Sequence, residues 1–254
     1  AAVRDPAVKG IWCVPKYSNP QGIVYSDAVV DRLAALRPAA PDFALMWDNA
    51  YCLHEVYGEF VPFRDMLTLC REAGNADMVY EFASTSKITF PGAGVAVMAA
   101  SEANLKYLSG LLGAQTISYD KVNQLRHVRF LQDKAHVLEL MQRHAAILRP
   151  KFEAVLSTLD REIAPLEIAS WSHPKGGYFV SFDAMPGTAK RTLALCKEAG
   201  VAMTAAGATF PYGIDPNDSN IRIAPSFPPV EDVEKAIAVF CTCVKMSALE
   251  KLGV

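Results

Sequence analysis

No stretch of this chain stays apolar long enough to cross a bilayer; its uncharged runs fall well short of the roughly 18 residues that a spanning helix needs. Neither sign of charge is in excess. The formal net charge is −2 over 254 residues, without blocks of like charge. Bulk electrostatics therefore recruits neither nucleic acid nor an anionic membrane. The opening run AAVRDPAVKG carries charges with no apolar core behind them, and does not read as a secretion signal. Cysteine is sparse. Cys13, Cys52, Cys70, Cys196, Cys241 and Cys243 are scattered through the chain in the manner of packed free thiols in a cytoplasmic protein. Cys241 and Cys243 form a C-x-C pair with no matching Cys/His pair, and the histidines show only helical spacing, so no metal site is expected. The third glycine of a dinucleotide fingerprint is missing as well: GAGVAV leads into a strand instead of opening a helix.

What is present alternates. KGIWCVP, FALMWD, DMVYEFAS and GVAVMAAS read as apolar strands, and SDAVVDRLAAL (with Ser26 as N-cap) and SEANLKYLSGLL as helices. Near-continuously apolar strands between helices predict an α/β domain with a mostly parallel sheet covered on both faces. Ligands of such sheets lie at the strands' carboxyl ends, where Asn19, Asp48 and Lys87 all fall. A long helical pattern runs from Asp133 to about Leu159, with a kink expected at Pro150. Beyond it the character changes. LEIASW, GGYFVSFD, VAMTAAG and SNIRIAPS read as short strands, with helices at 188–200 and 231–250. Val233, Ile237, Phe240 and Val244 form one apolar stripe on the last helix. The expectation is a large α/β domain over 1–145 and a smaller α+β domain over 146–254.

Four runs carry chemistry. KYSNPQG places Asn19 in a turn after a strand; MWDNAY places Asp48 at a strand end with Tyr51 three residues on; STSK holds Ser84, Ser86 and Lys87; SNIRIAPSF puts Arg222 inside a short strand. Singly each has an ordinary reading: turn chemistry, a cap, a solvated lysine, a surface ion pair. In this order they resemble the fold type I pyridoxal-phosphate enzymes, specifically the class I/II aminotransferases. That family's pattern is Asn-Pro-x-Gly, Asp-x-x-Tyr, Ser-x-Ser-Lys and Asn-x-Arg. PKGGYF and GVAMTAAGATF extend the match over essentially the whole chain. STSKITFPGAGVA and DKVNQLRHVRFLQD are similar to a divergent aspartate aminotransferase subgroup related to the effector domains of MocR-type regulators.

The resemblance implies a role for each residue. Lys87 would bind the pyridoxal 5′-phosphate aldehyde covalently, which requires a neutral, partly desolvated amine, and then act as general base and acid. Asp48 would hold the pyridinium nitrogen. Asn19 and Tyr51 would bond the ring hydroxyl, and Ser84 and Ser86 the phosphate. Arg222 would take the substrate α-carboxylate through its planar fork. Transamination between aspartate and 2-oxoglutarate, in a homodimer, is the specific reaction implied. Two departures stand out. The arginine usually found about eight residues after the lysine is absent, which leaves Arg126 and Arg129 as substitutes for phosphate or substrate binding. The chain also enters directly on a strand, without the family's front segment, which would make a separate N-terminal fragment of the same protein a partner. Other chemistry on the same adduct, such as C–S bond cleavage by β-elimination, uses the same residues. A non-catalytic regulator domain of the MocR type is the alternative from another class.

Overall fold

The computed structural model describes residues 1–254. The chain packs as two compact units. The first comprises Ala1–Lys16, Val24–Leu53 and Phe60–Met141, and the second Tyr17–Ile23, His54–Glu59 and Gln142–Val254.

The first unit holds a four-stranded sheet in the order β1-β2-β3-β4, with β1 (Gly10–Cys13), β2 (Ala44–Asp48) and β3 (Val79–Ser84) parallel and β4 (Ala96–Ala100) antiparallel to β3. Side chains alternate across a strand. Leu45 and Trp47 of β2 therefore join Cys13 and Val79 on one face, where they pack against Val30 of α1 (Asp27–Ala34) and Met66 and Cys70 of α2 (Met66–Glu72). Both helices start at a side-chain cap. Ser26 accepts from the Val29 amide at 3.4 Å and Asp65 from the Thr68 amide at 3.1 Å, each interaction worth about 1 kcal/mol. The opposite face departs from the expectation of full cover. Trp12, on that face, is 63% exposed. The apolar composition of these strands could not distinguish a face packed within the chain from one left open. Helices α3 (Glu102–Gln115) and α4 (Lys121–Leu131) complete this unit, and the 29-residue α5 (Lys134–Glu162) begins in it. Helix α5 runs through Pro150 as one continuous element.

The second unit is built on an antiparallel sheet, β5-β6-β7, of β5 (Ala169–Trp171), β6 (Val180–Ala184) and β7 (Asn220–Ile223). Phe152, Val155 and Leu159 of α5 meet Val180, Phe182 and Ile221 of the sheet. The stripe Val233, Ile237, Phe240 and Val244 of α7 (Val230–Leu252) is buried against them, with Phe182 and Phe240 edge to face at 5.0 Å. Burial of each such side chain contributes roughly 1.5–3 kcal/mol. Helix α6 (Ala189–Glu198) lies in the same unit. The run VAMTAAG, expected as a strand, is irregular from Val201 to Ala205 and a turn beyond it. Its residues have no strand partner in the β5-β6-β7 ladder, so β propensity alone did not form one.

Candidate active site

Asp48 is the last residue of β2 and Ser84 the last of β3, neighbouring parallel strands in which Asp48 stands opposite Phe82. The Asp48 carboxylate is aimed from two sides. Its Oδ1 accepts from the Ala50 amide at 3.1 Å and its Oδ2 from Trp12 Nε1 at 3.2 Å, while the Trp12 ring stacks on Phe82 with centroids 6.0 Å apart. Trp12 was not among the residues singled out from sequence, because an apolar strand residue carries no signal of what its indole N–H will meet.

The connection from β3 to β4 carries the lysine. Thr85 closes its mouth, donating its amide to Val95 O at 2.9 Å and accepting at Oγ1 from the Val95 amide at 2.9 Å. Ser84 Oγ and Ser86 Oγ lie 2.6 Å apart, and the Ser86 amide donates to Ser84 Oγ at 3.3 Å. Gly94 permits this crowding: a Cβ there would stand 2.9 Å from Ser86 N. Lys87 Nζ lies 4.9 Å from the centroid of the buried Tyr51 ring. Lys87, expected from sequence to be partly desolvated, is an exposed residue here. An apolar approach strand predicts the burial of the strand, not of the turn that follows it.

Asn19 and Arg222 are brought together in the second unit, 203 residues apart in sequence. Arg222 Nη1 donates to Asn19 Oδ1 at 3.1 Å and Nη2 to Thr204 Oγ1 at 3.3 Å, and the guanidinium lies 4.7 Å from the centroid of the Phe179 ring. Arg222 Nε is buried with no hydrogen-bond partner, a state that costs about 1–3 kcal/mol and that an anionic ligand would relieve. Asn19 follows β1 by six residues but packs with the second unit, correcting its placement at a strand end of the first sheet. The cause is a close approach: a Cβ on Gly176 would stand 2.7 Å from the buried Tyr17 ring and 2.2 Å from His54 O, and only glycine fits. Burial and the neighbouring Glu55 carboxylate push the Tyr17 phenol well above its usual range. Thr204 lies in the irregular run that had read as a strand, and Phe179 in the PKGGYF segment; neither had a sequence signal for contact with Arg222.

Arg126 and Arg129 are exposed on α4. Arg126 lies 4.8 Å over the Phe90 ring and donates to Asn123 Oδ1. Arg129 lines a shallow surface with Val122, Leu125 and Phe130. Neither is brought to Lys87 or Asp48 by a hydrogen bond. The first unit thus offers an amine, a carboxylate and a hydroxyl pair at adjoining strand ends; the second offers a braced guanidinium. The first set fits a phosphorylated, aldehyde-bearing pyridine, with an amine to condense, an anion for a ring N–H and hydroxyls for phosphate; the second, taken by itself, fits a carboxylate.

The family model described as aspartate amino-transferase matches residues 1–254. A protein of Mycolicibacterium smegmatis that carries an aminotransferase name is 53% identical over 248 residues, 98% of this chain and 58% of the relative. The aspartate aminotransferase of Corynebacterium glutamicum is 46% identical over 248 residues, 98% of this chain and 57% of that protein. The crystal structure of an aspartate transaminase from C. glutamicum superposes with a TM-score of 0.97 at 46% identity, covering 98% of this chain and 59% of that one. The chain therefore spans under three fifths of the length of these relatives.

Proposed function

The chain belongs to the aspartate aminotransferase family, and from that premise we propose that it carries the lysine and the carboxylate-binding arginine of a pyridoxal 5′-phosphate-dependent aminotransferase. One observation carries the reading: Asp48, Tyr51, Ser84, Ser86 and Lys87 converge at the carboxyl ends of two adjoining parallel strands. The bound cofactor supplies an electrophilic aldehyde and a ring that accepts electrons from the substrate's Cα.

Each side chain then has a task. Lys87 Nζ would hold the cofactor, and its free amine would take the Cα proton and return a proton as general base and acid. Asp48, already oriented by the Ala50 amide and Trp12, holds the positive charge of a protonated ring nitrogen. Tyr51 and Asn19 are assigned the ring hydroxyl, and the Ser84–Ser86 pair donates to phosphate oxygens. Arg222 binds the α-carboxylate through a fork that Asn19, Thr204 and Phe179 hold in one orientation. Aspartate and 2-oxoglutarate are the proposed substrates, the first of them supported by the names of the relatives. Their second carboxylate calls for a second cation, and Arg126 or Arg129 is the candidate. A homodimer belongs to the same proposal.

Borohydride reduction after addition of pyridoxal 5′-phosphate, followed by peptide mapping, tests it. A phosphopyridoxyl adduct confined to Lys87, together with production of a 2-oxo acid only when an amino acceptor is present, is the expected result. An adduct with no turnover of any amino acid would favour a cofactor-binding regulator. Absence of an adduct would return Lys87 to an ordinary lysine.

A further inference from the structure

Helix α4 is exposed along most of its length, yet one of its residues is buried: His127, at 4% exposure. Its imidazole reaches the connection that carries Lys87. Nε2 lies 2.8 Å from Thr89 Oγ1, and Nδ1 lies 2.9 Å from Asn123 O one turn back on the same helix. Thr89 belongs to the turn that holds the lysine. The Ile88 and Thr89 amides donate to Thr85 O at 2.9 and 2.8 Å, with Lys87 between Thr85 and Thr89.

Four further contacts tie the same helix to the same connection. Asn123 Nδ2 donates to Ala93 O at 2.9 Å. The Phe90 ring meets the edge of His127 at 5.9 Å and tilts against Phe130 at 5.8 Å, with Arg126 over its face at 4.8 Å. Phe90 lies three residues after Lys87 and Ala93 six after it. Four residues of the run DKVNQLRHVRF, namely Asn123, Arg126, His127 and Phe130, thus touch the loop.

We propose that His127 is a positioning residue for Lys87, acting through Thr89, an inference that rests on the proposed role of Lys87. The hydroxyl proton of Thr89 has two acceptors within reach, Thr85 O at 3.1 Å and His127 Nε2 at 2.8 Å. With the imidazole neutral and its proton on Nδ1, Thr89 donates to Nε2. With both ring nitrogens protonated, Nε2–H donates to Thr89 Oγ1 and the hydroxyl turns to Thr85 O. Either way the ring stays bonded at both ends and the turn under Lys87 is held. The task suits this loop, whose lysine is an exposed residue. Ångström-scale misplacement of a reacting amine is enough to slow a reaction by orders of magnitude.

The test compares the holoenzyme with its His127→Leu, His127→Gln and Thr89→Val variants. It measures the rate of borohydride trapping at Lys87, the absorbance band of the bound cofactor, and kcat and KM separately. For H127L, kcat is expected to fall about tenfold with KM within about twofold, trapping to slow and the band to shift. H127Q, whose amide can donate to or accept from Thr89, is expected to recover most of the loss, and T89V to reproduce H127L. A folded H127L with wild-type trapping and kcat would overturn the proposal. So would a loss that glutamine does not recover. Should H127L not fold, T89V alone decides, and wild-type behaviour there overturns it equally. Failure of the wild-type protein to trap cofactor at Lys87 would instead remove the cofactor reading itself, and with it the reason to position that amine.

Discussion

Lys87 stands in an exposed connection, its amine over the Tyr51 ring and its turn secured by hydroxyls and backbone amides. Arg222 stands mid-strand in β7, its fork bonded by Asn19 and Thr204 and its face covered by Phe179. The contrast follows the chemistry each group would do. An amine that forms and releases a covalent bond would have to change position during a turnover, which calls for an anchored backbone such as the Thr85–Thr89 turn supplies. A guanidinium that only recognises a carboxylate gains from being rigid before the ligand arrives, since less ordering then remains to oppose binding. The acidic partner differs likewise: Asp48 is oriented by two donors, an indole N–H and a backbone amide.

Lys87→Ala probes one side of that contrast and has the largest expected effect. It should lower kcat about 10⁴-fold, the upper end of what proton transfer by a positioned group contributes, and abolish borohydride trapping, while thermal stability stays near wild type because the side chain is exposed. Steady-state rates and mass mapping check this together; retained turnover would place the reactive amine elsewhere. Arg222→Lys probes the other side. Loss of the bidentate fork should raise KM for the amino acid 10- to 100-fold, the order that about 1.5–3 kcal/mol of charge-assisted hydrogen bonding allows, with Lys87 trapping unchanged. Equal losses in trapping and KM would show that the two clusters are not separable in function.

The smallest effect concerns Glu81, a half-buried carboxyl in β3 paired with Asn49. Burial, then the Asp65 charge, raises its proton affinity above the usual carboxylate range. A raised carboxyl disfavours the folded state once pH exceeds its folded-state value, and has no effect where both states are protonated. Glu81→Gln should therefore raise Tm by about 1–2 °C at pH 7, with the gain vanishing near pH 4. Melting curves at the two pH values check the sign. A gain that persists in acid would point to packing instead of charge.

Much of this arrangement was legible in the chain. The four strands of the first unit, the capped start of α1 and the buried stripe of α7 all follow from periodicity and from Ser26 ahead of its helix. Lys87, Asp48 and Arg222 were marked by their neighbours in short motifs. Other features were hidden for definable reasons. VAMTAAG has strand-forming residues but no partner in the second sheet, and pairing, not propensity, makes a strand. Trp12, Thr204 and His127 lie in runs whose composition fits ordinary packing. Their relevance arises from a single polar atom reaching a particular neighbour, and no local pattern encodes that distance.

The sequence by itself marked the helices, most of the strands and the residue types that could do chemistry, because helical periodicity and motif spacing depend on neighbours within a few positions along the chain. Only the tertiary structure decided that Asn19 leaves the first unit to bond Arg222, that Trp12 aims Asp48, and that α4 holds the loop of Lys87. Those contacts join residues separated by 203, 36 and 38 positions. They exist because apolar faces must be buried and a glycine at 176 lets Tyr17 approach, conditions that a whole folded chain satisfies and a local run of residues cannot.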